Sequence, residues 1–282
     1  MPITRRQLLA GAAAASWPVQ RSFAALLPKI GVQLYTVRNI IEQHPEETLK
    51  ALDEIGYREA EATSGNLEKI WPALKQTRLA PVSVHVDNAL FRPENKEKLV
   101  ALLPDLKGKG FQYAVYPYVP PAARHGEDTF KELADTLNRA GAECRKVGLK
   151  LCYHNHAFEF QKYGSKTGFE IMTDALDRNN AGLELDLFWV SVGGHDPAEM
   201  LRKYKGRVDL VHIKDKADMP VQFNETVPKS AFKEAGKGTL DWPAILKTAR
   251  QTGVKHYFVE QDQTPGNPID SLRTSFQYLQ TL

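Results

Sequence analysis

The sequence has no long apolar run, and this absence excludes a protein with several membrane spans. No segment offers about 18 or more consecutive uncharged apolar residues, the length that a transmembrane helix needs. Of the 282 residues, 42% are hydrophobic and 25% are charged, a balance that also excludes a disordered chain and a coiled coil. A chain of this length buries about three quarters of its unfolded surface, so its core needs no disulfide bonds.

The sequence also lacks an excess of charge of one sign. Lys and Arg number 37, Asp and Glu number 34, and the formal net charge is +3. Residues 1–24 contain Arg5, Arg6 and Arg21 and no acidic residue, so the remaining chain carries 34 charges of each sign. A neutral surface gives no electrostatic basis for binding nucleic acid. We therefore expect no nucleic-acid partner.

Cysteine is scarce, with only Cys144 and Cys152 in the chain. The first lies in a helical pattern and the second in the strand pattern that follows. Their spacing alone does not decide whether they form a disulfide. We interpret them as two buried thiols, because unpaired cysteine mostly behaves as a small hydrophobic residue.

The N-terminal segment has the features of an export signal. Arg5 and Arg6 precede a weakly apolar, alanine-rich run, and Ser22-Phe23-Ala24 offers small residues for cleavage after Ala24. The paired arginines resemble a twin-arginine signal, which implies a periplasmic protein with no membrane contact once residues 1–24 are removed. The alternative is an ordinary amphipathic helix at the N-terminus.

From Lys29 onward, short β-rich runs alternate with amphipathic helical segments. Pro45–Ile55, Phe130–Val147, Pro197–Tyr204 and Trp242–Thr252 have helical spacing of apolar residues, and glycines follow several of them. Eight strands that alternate with helices predict a single (β/α)8 TIM barrel over residues 29–282. A doubly wound sheet is the competitor, but the chain has no GxGxxG motif after its first strand. The predicted strands are Ile30–Tyr35, Tyr57–Ala62, Ala80–Val86, Phe111–Tyr116, Leu149–Asn155, Gly182–Leu187, Val208–Ile213 and His256–Glu260.

Polar side chains collect at the carboxyl ends of these strands, where TIM barrels hold their active sites. Four of them come from the predicted strands 5, 6, 7 and 8, whose ends would converge on a closed barrel: Glu159, Asp186, His212 and Glu260. Three carboxylates and one imidazole suit a single divalent cation such as Mn²⁺, Mg²⁺, Fe²⁺, Co²⁺ or Zn²⁺. The alternative is that each is an ordinary salt-bridged or solvated group.

Several segments resemble the sugar phosphate isomerase/epimerase family, the xylose isomerase-like barrels. These segments are Tyr153-His154-Asn155-His156-Ala157-Phe158-Glu159-Phe160, Leu183-Glu184-Leu185-Asp186, Val211-His212-Ile213-Lys214-Asp215, Gly236-Lys237-Gly238-Thr239-Leu240-Asp241-Trp242 and Val259-Glu260. The resemblance covers about residues 29–282. It implies a TIM barrel that holds one divalent cation with Glu159, Asp186, His212 and Glu260.

The resemblance also implies the chemistry of the site. A cation would stabilise the enediolate that forms when a proton leaves the carbon next to a sugar carbonyl. Glu260 is the expected base on one side, and Glu159, or His156 in its place, is the expected base on the other. Trp189 stands where the family often carries a substrate-binding histidine, which leaves the particular carbohydrate open. The predicted substrate-binding residues are His85, Tyr116, His154, Trp189 and Lys214.

Three other functions remain open at this stage. The same residues suit a lyase acting on a keto-sugar or 3-keto-glycoside, such as an inosose-type dehydratase. A non-catalytic sugar-binding protein and an abasic-site-type endonuclease are further alternatives, and the neutral charge disfavours the endonuclease. In every case except the endonuclease the expected partner is a small carbohydrate, and a homo-oligomer stays open.

Overall fold

Eight short segments rich in Val, Ala, Leu and Tyr form a closed parallel barrel in the computed structural model, which describes Leu27 and residues 29–282. The strands neighbour one another in the order β1-β8-β7-β6-β5-β4-β3-β2. The predicted export signal lies outside the described residues. The strands are β1 Gly31–Gln33, β2 Glu59–Thr63, β3 Ala80–His85, β4 Tyr113–Tyr116, β5 Lys150–His154, β6 Ala181–Asp186, β7 Val208–Ile213 and β8 His256–Val259.

Helices cover the outside of the barrel, and local signals set their ends. Pro45 and Pro197 occupy first helical turns, where the missing N–H has no intrahelical partner to lose. Gly56 and Gly253 end two helices with φ values of 123° and 95°, which only glycine adopts readily. No helix in the described part of the chain is long and apolar enough to cross a membrane. The helices are α1 Pro45–Ile55, α2 Leu67–Leu74, α3 Lys96–Gly108, α4 Asp128–Lys146, α5 Gly168–Ala175, α6 Leu187–Val192, α7 Pro197–Lys203, α8 Trp242–Thr252 and α9 Pro268–Leu279, with shorter helical turns at Leu34–Val37, Arg38–Ile41, Asn88–Phe91, Pro93–Asn95, Pro121–Ala123, Phe158–Phe160 and Lys229–Ala231.

The predicted (β/α)8 barrel is confirmed, and the doubly wound alternative is wrong because the sheet closes between β1 and β8. Each of the eight predicted strands overlaps an observed one. Helices α1 and α8 have the predicted bounds, whereas α4 begins two residues earlier than predicted, at Asp128. The alternation of strand and helix patterns was therefore a sufficient guide to the topology.

A small apolar cluster lies directly beneath the polar ends of the strands. It contains Cys152, Leu210 and Phe258, and each of them lies two residues before a polar side chain near the end of its strand. Since side chains two residues apart in a strand share a face, these three form an apolar layer below the polar one. Gly31 makes room for this layer, because a Cβ there would lie 2.5 Å from the Phe258 ring. The polar side chains at the strand ends therefore lie above a closely packed apolar layer.

Both cysteines are buried free thiols, as we expected from the sequence. Cys144 lies in α4 and Cys152 lies in β5. Burial raises the pKa of Cys144 to about 12 and raises the pKa of Cys152 as well. Neither thiol is therefore a reactive thiolate near neutral pH.

The segment between β7 and α8 is organised by one buried carboxylate. Asp215 accepts hydrogen bonds from the backbone N–H groups of Gly236 (3.0 Å) and Gly238 (3.1 Å) and from the Trp242 indole (2.8 Å). It also accepts one from the Leu240 N–H at 3.2 Å. A Cβ on Gly238 would come within 2.2 Å of this carboxylate, so only glycine fits there. These contacts explain why the segment Gly-Lys-Gly-Thr-Leu-Asp-Trp is needed structurally: its backbone N–H groups and its indole bind the Asp215 carboxylate.

The long loop of that segment reaches over the mouth of the barrel. Asp215–Lys216 pairs antiparallel with Phe232–Lys233 at its base. Farther along, Glu225 accepts a hydrogen bond of 2.7 Å from Arg124, which belongs to the loop after β4. The Arg124 guanidinium lies 3.5 Å from the centre of the Phe158 ring. Two other loops therefore fix the position of this one.

Candidate active site

Polar side chains from several strands meet at one end of the barrel, on a cavity of about 910 Å³. They come from the carboxyl ends of the strands or the residues just after them. This is the end at which TIM barrels place their catalytic groups. The lining includes His85, His154, His156, Trp189, Glu260 and Asp262.

Four of these strand-end side chains bring their ligand atoms within 4.8 Å of one another: His154, Asp186, His212 and Glu260. His212 Nδ1 lies 2.9 Å from Glu260 Oε2 and 3.2 Å from His154 Nε2. Asp186 Oδ2 lies 3.4 Å from His154 Nε2 and 3.7 Å from His212 Nδ1. Three of the four predicted metal ligands therefore lie together, and His154 is the fourth member of the group. We call these four residues the cation cluster.

Glu159, the other predicted ligand, lies outside the cation cluster. Its carboxylate accepts hydrogen bonds from the Tyr153 hydroxyl at 2.6 Å and from the His156 backbone N–H at 2.9 and 3.0 Å. Burial, only partly offset by these bonds, raises the pKa of Glu159 to about 7. The sequence prediction treated Glu159 as a strand-end group, but β5 ends at His154 and Glu159 sits in the helical turn Phe158–Phe160. His154 shares the inward face of Cys152, a period-two signal that identifies it.

The cation cluster fits a divalent cation of intermediate hardness. Two carboxylates and two imidazoles are suitable ligands for Zn²⁺, Fe²⁺, Co²⁺ or Mn²⁺. They suit Mg²⁺ less well, because Mg²⁺ prefers ligand sets made only of oxygen atoms. Asp186 Oδ2 is buried and accepts no well-oriented hydrogen bond from the described residues, although the Lys214 ammonium lies 2.9 Å away. Lys214 therefore offsets part of the cost of burying this oxygen, and a divalent cation would offset the remainder.

Lys214 supplies a positive charge at the edge of the cation cluster. Its ammonium lies 2.9 Å from Asp186, 2.7 Å from Glu260 and 2.5 Å from Asp262. Burial lowers the pKa of Lys214, but the three carboxylates outweigh that effect and raise it. The ammonium therefore remains charged and neutralises part of the acidic site. Its neighbour Asp215 is not among its partners, because that carboxylate is engaged in the loop.

A second buried group lies beside the first and shares His212 with it. It contains Glu61, His85 and Glu184, and His85 Nε2 lies 2.9 Å from Glu184 and 3.3 Å from Glu61. Burial lowers the pKa of His85, yet the two glutamates outweigh it and raise that pKa to about 10. The sequence interpretation missed Glu61, because it lies within β2 and not at its end. The sequence offered no signal that singles it out, because Glu59 lies two residues earlier in the same strand and on the same face.

The predicted substrate-binding residues occupy different places around the cavity. His85, His154 and Trp189 line it, whereas Lys214 is absent from the lining and contacts Glu260 at 2.7 Å. Tyr116 is absent from the lining and packs against Phe91, with ring centres 4.7 Å apart. The structure therefore offers no direct contact between Tyr116 and a molecule in the cavity.

Two lining side chains carry a polar atom whose hydrogen-bonding capacity is not used by the described residues. The Trp189 indole nitrogen and His156 Nδ1 are buried and have no hydrogen-bond partner among the described residues. The two rings lie 5.4 Å apart. Burial, together with nearby His154, lowers the pKa of His156, so this imidazole is neutral. A neutral imidazole can accept or donate a proton.

Comparison with known proteins agrees with this architecture. Residues 100–282 match the sequence profile of the xylose isomerase-like TIM barrel family. The chain belongs to this family. Among its curated relatives, an inosose dehydratase of Clostridium perfringens is 30% identical over 164 residues, which cover 54% of this chain and 54% of that protein. The chain thus spans about half the length of the curated relatives it matches.

Solved members of similar fold superpose over most of the barrel. A sugar phosphate isomerase/epimerase from Parabacteroides distasonis aligns with a TM-score of 0.74 at 21% identity, covering 89% of this chain and 97% of that one. The IolI protein, solved with a bound zinc atom, aligns with a TM-score of 0.69 at 16% identity, covering 88% and 95%. At these identities the likeness shows the fold alone.

Proposed function

We propose that the protein is a divalent-cation-dependent isomerase or epimerase that acts on a sugar or keto-sugar. The single observation that supports this most is the cation cluster at the floor of a cavity large enough for a carbohydrate. The curated relatives include inosose dehydratases, and the fold neighbours include a sugar phosphate isomerase/epimerase and a protein solved with a bound zinc atom. A small carbohydrate is therefore the proposed substrate.

The reaction would begin with loss of a proton from the carbon next to a carbonyl. A divalent cation held by His154, Asp186, His212 and Glu260 would supply electrostatic stabilisation of the negative charge that develops on the substrate oxygens. Lys214 would add a second positive charge close to the same carboxylates. Buried charges act strongly here because little water screens them.

His156 and Glu260 are the proposed proton-transfer residues. His156 lines the cavity, its imidazole is neutral and its buried Nδ1 has no hydrogen-bond partner among the described residues, so the ring is available to hold a proton taken from substrate carbon. Glu260 also lines the cavity. Burial raises the pKa of Glu260, but the nearby charges of Lys214 and His212 outweigh burial and lower that pKa, so the carboxylate stays ionised. Glu159 is the weaker candidate, because both of its oxygens are already hydrogen-bonded away from the cavity lining.

A dehydratase is the second candidate function. The same carbanionic intermediate expels a hydroxyl group from the neighbouring carbon when no proton returns to the first carbon. The 30% identity to an inosose dehydratase favours this outcome. The residues in the two reactions are the same, so the products must decide between them.

Solvent exchange distinguishes these possibilities. The protein, loaded with Mn²⁺ or Zn²⁺, is incubated in deuterium oxide with a panel of ketoses, inososes and 3-keto-glycosides, and the products are followed by NMR. Deuterium in an epimer or isomer supports the first proposal, and an unsaturated or dehydrated product supports the second. Glu260→Gln serves as the inactive control. A cation-loaded protein that exchanges no proton in any of these compounds contradicts both.

We also propose that the protein works in the periplasm. The support is the composition of residues 1–24, with paired arginines and a small-residue cleavage site. Cell fractionation of the full chain beside an Arg5→Lys, Arg6→Lys variant tests this. Loss of the periplasmic fraction in the variant is the expected result.

A further inference from the structure

His212 is held from both sides, and only one side belongs to the cation cluster. Its Nδ1 faces Glu260, Asp186 and His154. Its Nε2 lies 2.5 Å from Glu61 Oε2. The two ring nitrogens therefore have separate partners. In a neutral imidazole only one nitrogen carries a hydrogen, so a hydrogen bond from Nε2 to Glu61 leaves a lone pair on Nδ1.

The hydrogen bonds around Glu61 identify it as an acceptor. Gln33 Oε1 accepts from the Tyr35 backbone N–H at 2.9 Å, which fixes the amide so that Gln33 Nε2 donates to Glu61 Oε2 at 2.8 Å. The Ser83 hydroxyl donates to the other oxygen at 2.6 Å. A carboxylate that accepts on both oxygens presents a lone pair to His212 Nε2, so this nitrogen must carry the hydrogen.

We infer that Glu61 is a positioning residue that holds the proton of His212 on Nε2 and thereby directs the Nδ1 lone pair at the cation. This inference rests on the proposed cation site. Glu61 is neither a member of the cation cluster nor one of the residues that line the cavity; it acts through His212. The contact also anchors β7 to β2 across the barrel, which restricts rotation of the imidazole ring.

Glu184 offers a matched control. It is as buried as Glu61, lies in the same group and faces the same imidazole. Its nearest oxygen, however, is 3.6 Å from His212 Nε2, and its hydrogen bond goes to His85 at 2.9 Å. Removing its charge changes the electrostatic field at His212 but leaves the Glu61 hydrogen bond in place.

The first test measures Zn²⁺ affinity of the metal-free protein by competition with a chelator. Glu61→Gln keeps the shape of the side chain but weakens the hydrogen bond to His212, and we expect the affinity to fall about 10- to 100-fold. Glu184→Gln should keep the wild-type affinity to within about threefold, because it leaves that bond intact. Equal affinity of Glu61→Gln and wild type would overturn the inference.

The second test needs no variant, so it holds even if Glu61→Gln does not fold. Long-range ¹H–¹⁵N correlation of the Zn²⁺-loaded wild type reports which nitrogen of His212 carries the hydrogen. We expect a protonated Nε2 and a metal-bound Nδ1; the opposite assignment refutes the role of Glu61. A wild-type protein that takes up no cation overturns the proposed function and this inference together, whereas failure of only the Glu61 results leaves the proposed function standing.

Discussion

Lys214→Met removes the only ammonium within salt-bridge distance of three acidic groups in the described site. The lysine contacts Asp186, Glu260 and Asp262 at 2.9, 2.7 and 2.5 Å and is 1% exposed. Methionine keeps most of the apolar stem but leaves the carboxylates uncompensated. In metal-free protein this change should lower the stability substantially.

The size of the effect follows from the geometry. At an effective dielectric constant of about 20, each of these contacts has a gross Coulomb energy of about 6 kcal/mol. Desolvation of Lys214 offsets most of that sum, and removing one partner of a buried ion pair typically costs about 3–5 kcal/mol. For a domain of this size that loss corresponds to a melting temperature lower by about 6–20 °C.

Thermal unfolding followed by circular dichroism, with chelator and with added Zn²⁺ or Mn²⁺, measures this. A bound cation replaces the lost positive charge, so it should raise the melting temperature of Lys214→Met more than that of wild type. Lys50→Met is the control, because Lys50 is 76% exposed and lies 3.8 Å from its partner. A Lys214→Met protein that melts within about 2 °C of wild type in chelator would refute the reasoning.

Three further predictions test separate parts of the structure. His154→Ala should lower Zn²⁺ affinity at least tenfold while Glu159→Gln leaves it nearly unchanged, as measured by the same chelator competition; the reverse order would restore Glu159 as a ligand. Asp215→Ala should cost about 3 kcal/mol or more in urea denaturation, because it leaves several buried N–H donors without an acceptor. Lys203 and the Thr167 backbone N–H lower the pKa of Glu170 to about 2. A carboxylate whose pKa is lowered on folding stabilises the folded state at pH values above its ordinary pKa. That stabilisation is lost as the pH falls through the lowered pKa. Glu170→Gln should therefore cost up to about 1 kcal/mol at pH 7 in this partly exposed pair, and the difference should disappear towards pH 2–3; a constant difference would contradict this.

Local signals were enough to predict the fold, because several helices of the barrel carry their own start or stop signal. Pro45 and Gly56 bound α1, and Gly253 ends α8. The site was harder to predict. Asp186 and Glu260 follow from the rule that active sites lie at strand ends, but Glu61 lies within a strand, where a single sequence gives no means of distinguishing a buried functional carboxylate from a surface one.

His154 shows why part of the ligand set could not be read from order along the chain. His154 is the last residue of β5 and Glu159 comes five residues after it, and the resemblance favoured the carboxylate. The deciding quantity is the position of the strand end, and helical turn Phe158–Phe160 begins only four residues after it. An uncertainty of a few residues in a strand boundary is ordinary for sequence patterns, and here it changes which side chain would face the proposed cation.

The cation cluster contains the imidazole of His154 where the sequence predicted the carboxylate of Glu159, and this difference changes the net charge of the site. Asp186, Glu260 and Asp262 carry three negative charges and Lys214 one positive charge, so with neutral imidazoles the described group has a net charge of −2. A third carboxylate ligand in the place of His154 would make it −3. A divalent cation neutralises the former set and leaves the latter negative. A neutral floor accepts the negative charge that develops on a substrate oxygen, whereas a negative one repels it. The presence of His154 and Lys214 together therefore favours a dication and an anionic reaction intermediate at this site.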